Sequence, residues 1–527
     1  MKHVIDPNSA HRDGTIYGDY DCTLNQTDLS VNANKFYIMQ VIQYKKNNGS
    51  MTNDGCTLLI RYGRVGERGR LDESEMSPNE AADKFVKQFK AKTGNNWADR
   101  ANFVSKKGKY TLCEMDYSNV TTSNLPPTNI TGTNSNNVAP VVIPEAVCCL
   151  KPRVQEFLRL IGDIKEMQNA MVELELDANK LPLGKISQNQ INRGYAILNQ
   201  IILQLKNSGT GDVRMILMDL SSQYYTLIPH AWGRGSSPPL IDTPERISKY
   251  IEILDELSNL QVAATVVQPG NDTRNLLAAN LLNADGSRIH PLDTIYKEIN
   301  AKIRGVKKNS AVWNTIQQYI TNTHGSTHNN YAVDLLEIYK VGRQGESDNY
   351  QKCLAKITSN NGNEVVVNRQ LLWHGTRLTN YISILKNGLL LRPDVIPGTY
   401  ITGKMFGYGI YAANSFSKSF NYTGADKKNP VACLLLGEFA LGNCLKKVSA
   451  DSGLTGDIVN KQGCHSTWGQ GQYTPSSYSM MKDGVLVPTG KLEKSNISGA
   501  NLLYDEFIVY DQNQFNIKYV VLVKARW

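Results

Sequence analysis

Residues 119–140 constrain everything on either side of them. They hold Thr-Thr-Ser-Asn, Pro-Pro and Gly-Thr-Asn-Ser-Asn-Asn, with few apolar side chains between. Such a stretch cannot bury enough surface to offset the entropy of ordering its backbone, so it reads as a flexible linker. It imposes separately packed bodies on a chain of 527 residues, a length that itself suggests two to four domains. A second, weaker break falls near residues 268–286. The partition expected is therefore 1–118, a linker at 119–143, then 144–268 and 269–527. At 41% hydrophobic residues the chain has enough apolar material for conventional cores.

No run of roughly 18 or more apolar residues occurs, so no membrane-spanning helix is expected. Residues 1–11 lack the apolar stretch of a secretory signal. The nine cysteines are scattered, without a CxxC pair, and the adjacent Cys148 and Cys149 suit neither a zinc site nor a routine bridge. Reduced thiols in the cytosol or nucleus, and no bound metal, are the expectation. The formal charge of +9 is modest, but its placement is uneven. Arg61, Arg64, Arg68 and Arg70 are opposed locally only by Glu67. Lys84, Lys87, Lys90, Lys92, Arg100, Lys106, Lys107 and Lys109 follow. Local basic density of this kind is the footprint of a polyanion partner, with a solvated mixed-charge surface as the bland alternative.

The first segment reads as mixed α/β. Phe36 to Ile42 and Thr57 to Tyr62 are strand-like, with Asn47-Asn48-Gly49-Ser50 as a turn. Ser77-Pro78-Asn79-Glu80 opens a helix, with Ser77 as N-cap, Pro78 in the first turn and Glu80 completing a capping box. The second segment is helical. Val154, Phe157, Leu158, Ile161, Ile164 and Met167 recur at three- and four-residue steps. So do Ile191, Tyr195, Leu198, Ile201, Ile202 and Leu205, and again Ile247, Ile251, Leu254 and Leu257. These one-faced stripes must pack against each other or a neighbour. The third segment has β-type runs at 431–436, 507–510 and 519–523 among Gly-rich turns, and is expected to be α+β. The Gly407-Tyr408-Gly409 turn is not a GxGxxG fingerprint, so no Rossmann-type domain is implied.

Three stretches of the third segment carry chemistry. They are Leu371-Leu372-Trp373-His374-Gly375-Thr376-Arg377, the run from Phe406-Gly407-Tyr408-Gly409-Ile410-Tyr411 to Ser417-Lys418-Ser419-Phe420-Asn421-Tyr422, and Leu503-Tyr504-Asp505-Glu506-Phe507. Taken singly, each has a plain structural reading. In this order they resemble the catalytic domain of the poly(ADP-ribose) polymerase family, whose signature is a His, a Tyr and a Glu on separate strands. The resemblance runs from about residue 291 to 527. It implies that NAD is consumed as substrate and that His374, Tyr411 and Glu506 are the catalytic trio. A carboxylate such as Glu506 suits an oxocarbenium-like transition state. By the resemblance, His374 binds a ribose hydroxyl, the Gly375 backbone and Ser419 meet the nicotinamide amide, and Tyr411 and Tyr422 stack on its ring. Thr376, Arg377 and Asn380 fall on the adenosine side. Departures from the family pattern are Thr376 for a common Ser, Lys404 for a common Tyr, and a long loop over 392–403. Asp505 stands for a common Asn and is expected to raise the Glu506 pKa.

The first segment, with Arg61-Tyr62-Gly63-Arg64-Val65-Gly66, resembles the WGR module of the DNA-dependent members, with Tyr in place of the eponymous Trp. Asn34, Lys35, Tyr62, Arg64, Lys109 and Tyr110 are the implied DNA contacts, cations for a terminal 5′-phosphate and rings for an exposed base. The alternative is a basic module that binds a protein. In the second segment, Asn169 to Glu173, Lys180 to Lys185 and Tyr224 to His230 resemble the family's helical regulatory domain, which blocks NAD access until DNA binds; an ordinary scaffold bundle is the alternative. The order of the three is closest to the second and third members of the family, which lack N-terminal zinc fingers. It implies a nuclear, DNA-break-activated enzyme acting on proteins, itself and histones included. The resemblance also implies an accessory factor docking at Trp527, against tucking of that ring into the core. A mono-ADP-ribosyltransferase and a non-catalytic break-end adaptor remain open alternatives.

Overall fold

The computed structural model describes residues 4–45, 54–115, 147–176, 186–206, 213–232, 236–271, 289–359, 367–391 and 404–527. The turn expected at 47–50, the linker at 119–143, the motif at 180–185 and the loop at 392–403 fall outside these residues or largely so. The chain divides into two compact units, Met1–Ala146 with Ile164–Ile289, and Val147–Asp163 with His290–Trp527. No helix among the described residues is long and apolar enough to cross a membrane.

In the first unit β1 (Thr15–Asp28), β2 (Ala33–Lys45), β3 (Asp54–Arg64), β4 (Arg70–Glu75) and, after α1 (Pro78–Thr93), β5 (Thr111–Leu112) form one antiparallel sheet ordered β4-β3-β2-β1-β5. The run from Phe36 to Ile42 is apolar on both faces of β2 except for Gln40, which is buried and hydrogen-bonded to Asp6, Val4 and Asp21, because both faces are covered. Tyr37, Met39 and Val41 pack under Phe85 and Phe89 of α1, while Phe36, Ile38 and Ile42 meet Leu59 and Val65 on the other face. Ser77 caps α1 by accepting the Glu80 N–H at 3.4 Å, and Gly94 ends it in a left-handed conformation, φ 71°. The Glu80 carboxylate goes forward to Lys84 at 3.7 Å, so the expected box is only half formed.

The stripe from Val154 to Met167 is not one helix. It breaks at Gly162, the C-cap of α2 (Pro152–Ile161), and resumes in α3 (Ile164–Glu173). The two halves belong to different units. With α3 in the first unit go α4 (Gln188–Lys206), α5 (Val213–Leu227) and α6 (Pro244–Asn271), the last running past the break expected near residue 268. The last carbonyls of a helix have no partner within it. At the end of α5 the Asn25 side chain of β1 supplies one, donating to Tyr225 O at 3.1 Å and Thr226 O at 3.0 Å. Glu114 anchors the start of α4 differently, its carboxylate accepting from the side chains of Arg193 at 2.9 Å and Asn189 at 2.7 Å.

In the second unit α2 lies on the part of the chain that follows His290. Phe157 stacks on Tyr339 at 4.6 Å, Arg153 pairs with Glu337, and Tyr339 OH donates to Arg153 O at 3.0 Å. From α7 (Pro291–Ile299) the chain runs through β6 (Ala301–Gly305), α8 (Ala311–Asn322), β7 (Ala332–Arg343), α9 (Glu346–Ser359), β8 (Arg369–Gly375), α10 (Tyr381–Asn387), β9 (Ile410–Ala412), α11 (Phe416–Phe420) and β10 (Val431–Ala440). It continues through β11 (Cys444–Lys447), α12 (Gly456–Lys461), β12 (Ser466–Gly469), β13 (Gly471–Pro475), β14 (Ser479–Met480), β15 (Leu486–Val487), β16 (Leu492–Lys494), β17 (Leu502–Tyr504), β18 (Glu506–Val509) and β19 (Phe515–Arg526). Three sheets result, ordered β14-β15-β8-β10-β19-β7-β6, β11-β12-β18-β9 and β16-β13-β17. The expected α+β character holds, with the three sequence-predicted strands found as β10, β18 and β19. The two larger sheets meet where Trp373 of β8 exchanges both backbone hydrogen bonds with Ala413, each at 2.9 Å.

His230 follows α5 and is fully buried among the rings of Tyr224, Tyr225, Trp232 and Tyr250. Its Nδ1–H donates to Ile228 O at 2.6 Å, and its Nε2 has no partner among the described residues. Burial pushes the imidazole from 6.5 down to about 4. The folded-state pKa lies below the unfolded value, so this contribution to stability is complete above pH 6.5. It is lost as pH falls toward 4, at up to about 1.4 kcal/mol per pH unit. The unfolding midpoint of the first unit should therefore drop between pH 7 and pH 5, and drop less in His230→Gln; equal slopes in the two proteins would contradict this.

Candidate active site and nucleic-acid interface

The structure brings His374, Tyr411 and Glu506 onto neighbouring strands at the seam of the two larger sheets. His374 is next to last in β8, opposite Leu435 of β10. Its Nδ1 lies 2.8 Å from Tyr411 O, which can only accept, so Nδ1 carries the proton and Nε2 is left as an acceptor. Burial lowers the His374 pKa more than the Tyr411 carbonyl raises it, and the nearby Lys404 ammonium lowers it further. The ring is neutral at neutral pH. Tyr411, in β9, pairs with Ile508 of β18. Its hydroxyl donates to Gly407 O at 2.7 Å and accepts the Phe406 N–H at 2.9 Å. The turn thus folds over the phenol, whose pKa burial drives well above the usual range. The Lys404 ammonium sits 5.6 Å from the centre of the same ring.

Glu506 opens β18, opposite Gly469 of β12. Its Oε1 lies 3.0 Å from Lys418 Nζ, and the two side chains are 12% and 13% exposed. Lys418 also donates to Tyr504 O at 2.8 Å. Burial depresses the Lys418 pKa, and Glu506 partly restores it. Sequence reasoning gave Lys418 no role; the available signal was a lone cation in the otherwise apolar and small Phe416-Ser417-Lys418-Ser419-Phe420. Asp505 precedes Glu506 but points its side chain elsewhere. Its buried carboxylate turns away, accepting from Gly471 N and Thr474 Oγ1 at 2.7 Å and from Asn414 Nδ2 at 2.8 Å. The charge that meets Glu506 side-on is positive.

The other candidates divide. Ser419 is buried and donates to Trp373 O at 3.1 Å. A Cβ on Gly375 would lie 1.7 Å from Ser419 O, so that position admits only glycine. Asn380, also buried, donates to Thr376 Oγ1 at 2.8 Å, tying the two together. Tyr422 is 62% exposed, with its N–H bonded to Ser419 O at 3.2 Å. Trp527 is neither free nor tucked in: 42% exposed, it rests against Tyr331 at 5.0 Å.

On the first unit, Asn34, Lys35, Tyr62, Arg64 and Tyr110 line one concavity. Tyr62 stacks on Tyr37 at 5.6 Å, and the Lys92 ammonium lies 4.7 Å from the Tyr37 ring centre, a cation that sequence reasoning had not assigned to this face. Lys109 stands beside Tyr110, exposed, its ammonium on Ala91 O at 3.2 Å. Two basic or polar candidates need correction. Asn34 is fully buried, its amide donating to His230 O at 3.0 Å and accepting from Thr27 at 3.0 Å, so its side chain is an internal contact. Arg61 belongs to a buried ion pair with Asp6 at 2.6 Å, and so adds nothing to a basic surface. Arg64 lies at the surface, bonded to Asn32 O at 3.0 Å and to Ser236 O at 2.8 Å.

Residues 20–104 match the WGR domain, 148–296 the poly(ADP-ribose) polymerase regulatory domain, and 310–525 the poly(ADP-ribose) polymerase catalytic domain. Poly [ADP-ribose] polymerase 2 of Homo sapiens is 34% identical over 511 residues, spanning 96% of this chain and 79% of its own. The chain belongs to the poly(ADP-ribose) polymerase family. Poly [ADP-ribose] polymerase 2-A of Oryza sativa subsp. japonica is 34% identical over 510 residues, 96% of this chain and 70% of its own. Poly [ADP-ribose] polymerase 1 of Xenopus laevis is 36% identical over 532 residues, 99% of this chain but 48% of its own, so this chain spans about half of that relative. The WGR, helical regulatory and catalytic domains of the family are all present, and His374, Tyr411 and Glu506 all fall in the catalytic match. Because Gly375 meets the Ser419 backbone, Gly375→Ala should destabilise the catalytic unit by roughly 3 kcal/mol. Denaturant unfolding checks this, and an unchanged midpoint would contradict it.

Proposed function

We propose that this chain splits NAD at the nicotinamide–ribose bond and transfers ADP-ribose units to proteins, as a polymer, when its WGR domain meets a DNA break in the nucleus. The observation that carries the reading is the meeting of a neutral histidine, an enclosed tyrosine ring and a lysine-paired carboxylate on β8, β9 and β18. As the glycosidic bond lengthens, positive charge grows on the ribose, and the Glu506 carboxylate stabilises it where water is largely excluded. Lys418 holds that carboxylate in place. His374 Nε2 accepts a ribose hydroxyl, while Tyr411 and Tyr422 offer ring faces to the nicotinamide. The Gly375 backbone and Ser419 hold its amide. Thr376 and Asn380 take the adenosine side.

For the break end, Lys35 and Lys109 supply cations, and Tyr62 and Tyr110 supply rings. Arg64 has a double position. It holds Ser236 O of the helical segment, and a terminal phosphate would compete for the same guanidinium, which gives a route from DNA to the helices that restrain the enzyme. Trp527, half exposed, is the surface an accessory factor would find, and the acceptors are proteins including the chain itself and histones. The intact trio argues against a non-catalytic adaptor.

The test is incubation with labelled NAD, with and without nicked DNA. Long labelled polymer that depends on the nick supports the proposal; single units indicate a mono-ADP-ribosyltransferase, and no label an adaptor. Glu506→Gln should cut polymer formation by about a hundredfold or more, with NAD affinity largely kept; polymer of unchanged length and rate would remove Glu506 from its role. Arg64→Ala should weaken break binding and lower the slope of log affinity against log salt by about 1. Wild-type affinity across salt concentrations would place the DNA elsewhere.

A further inference from the structure

We propose that Cys148, His290 and Asp293 form a binding site for a thiophilic divalent cation, with zinc the best match, on the catalytic unit. One ligand atom from each residue lies within 4.8 Å of the other two, the sole such group among the described residues. His290 is the N-cap of α7 and Asp293 stands in its first turn, so an i, i+3 pair presents an imidazole and a carboxylate on one side of the helix. Cys148 reaches the same point from the segment ahead of α2, its Sγ 3.3 Å from Asp293 Oδ1. The carboxylate is oriented by the Cys149 N–H, 3.2 and 3.0 Å from its two oxygens. All three ligands are partly buried. The adjacent cysteine pair that fitted no sequence pattern thus has its partners far along the chain.

The donor set fits zinc in kind. Thiolate sulfur, imidazole nitrogen and carboxylate oxygen are its three protein ligands, and a tetrahedral ion leaves a fourth position for water or the neighbouring Cys149 thiol. The thiolate disfavours magnesium and calcium, which take oxygen ligands. The charges balance. Cys148 releases its S–H proton to solvent, thiolate and carboxylate together neutralise the dication, and His290 binds as the neutral ring. Without the ion, the Cys148 thiol donates to Asp293 and His290 Nδ1 accepts the Leu292 N–H at 3.1 Å. Binding replaces the first bond and takes an imidazole lone pair, so the cap is given up or the ring turns.

The placement suggests what the ion does. The chain enters this unit at Val147 and again at His290. The ligands follow directly on these two entries, so one ion would cross-link them and fix the lead-in of α2 against α7.

The test uses the full chain, purified metal-free and reduced, titrated with Zn2+ against a chromophoric chelator and separately with Co2+ under absorption spectroscopy. One equivalent of zinc is expected, and cobalt should show a thiolate charge-transfer band with tetrahedral d–d absorption. Cys148→Ser should weaken zinc at least tenfold and abolish the band. His290→Asn keeps a side-chain cap for α7 and so the fold, and should also weaken zinc at least tenfold. The proposal is overturned if zinc does not bind stoichiometrically, or if either variant leaves the affinity and the cobalt spectrum unchanged.

Discussion

A carboxylate with only 12% of its surface exposed is costly to bury unless a cation lies beside it. Glu506 meets that condition through Lys418, and Lys418, equally enclosed, is held in turn by the Tyr504 carbonyl. Much of the surrounding structure follows from this pair. To deliver Lys418, α11 must come up against the start of β18, which lands Ser419 on the end of β8. There it leaves no room for a side chain on Gly375. A second negative charge beside Glu506 would undo the balance, and Asp505 avoids this by committing its carboxylate to Gly471, Thr474 and Asn414. The bridge between Trp373 and Ala413 closes the arrangement by joining the sheet that carries His374 to the one that carries Tyr411 and Glu506.

What was legible in the sequence, and what was not, divides along physical lines. The strands of the WGR sheet and the strands β10, β18 and β19 were readable because burial on one or both faces writes itself into the apolar pattern. His374, Tyr411 and Glu506 could be singled out because their neighbours form distinctive motifs, and the structure places them on β8, β9 and β18. Periodicity reports a buried face but not what buries it. The stripe from Val154 to Met167 therefore passed for one helix, although Gly162 cuts it and its halves pack in different units. Charge density likewise counts cations without seeing their partners. Arg61 looked like part of a basic surface and is a buried ion pair, while Lys418 looked incidental and is the partner of Glu506. Asn34 was placed at the DNA interface by position in a motif, but its amide is used inside the protein, on His230 O.

That last contact belongs to a set that joins the WGR sheet to the helices behind it. Asn25 completes the end of α5, Asn34 holds His230, and Arg64 reaches Ser236. On the proposed function, these are the bonds through which an occupied DNA site would be felt by the helical segment. A restraint that holds the enzyme closed a hundredfold corresponds to roughly 2.7 kcal/mol, which is within the reach of a few such bonds, one of them from a charged guanidinium. The second unit carries α2 as its own, through Phe157 on Tyr339 and Arg153 on Glu337, so on the proposed function any restraint by the helices begins at α3.

On the proposed function, the catalytic unit is complete with α2 and is silent only because the remaining helices restrain it. The most direct measurement is nicotinamide release from NAD, without DNA, by Val147–Asp163 joined through a short linker to His290–Trp527. The expected outcome is a folded protein that turns over NAD at about the rate of the full chain with nicked DNA. A protein that melts cooperatively, binds NAD and releases no nicotinamide would contradict it.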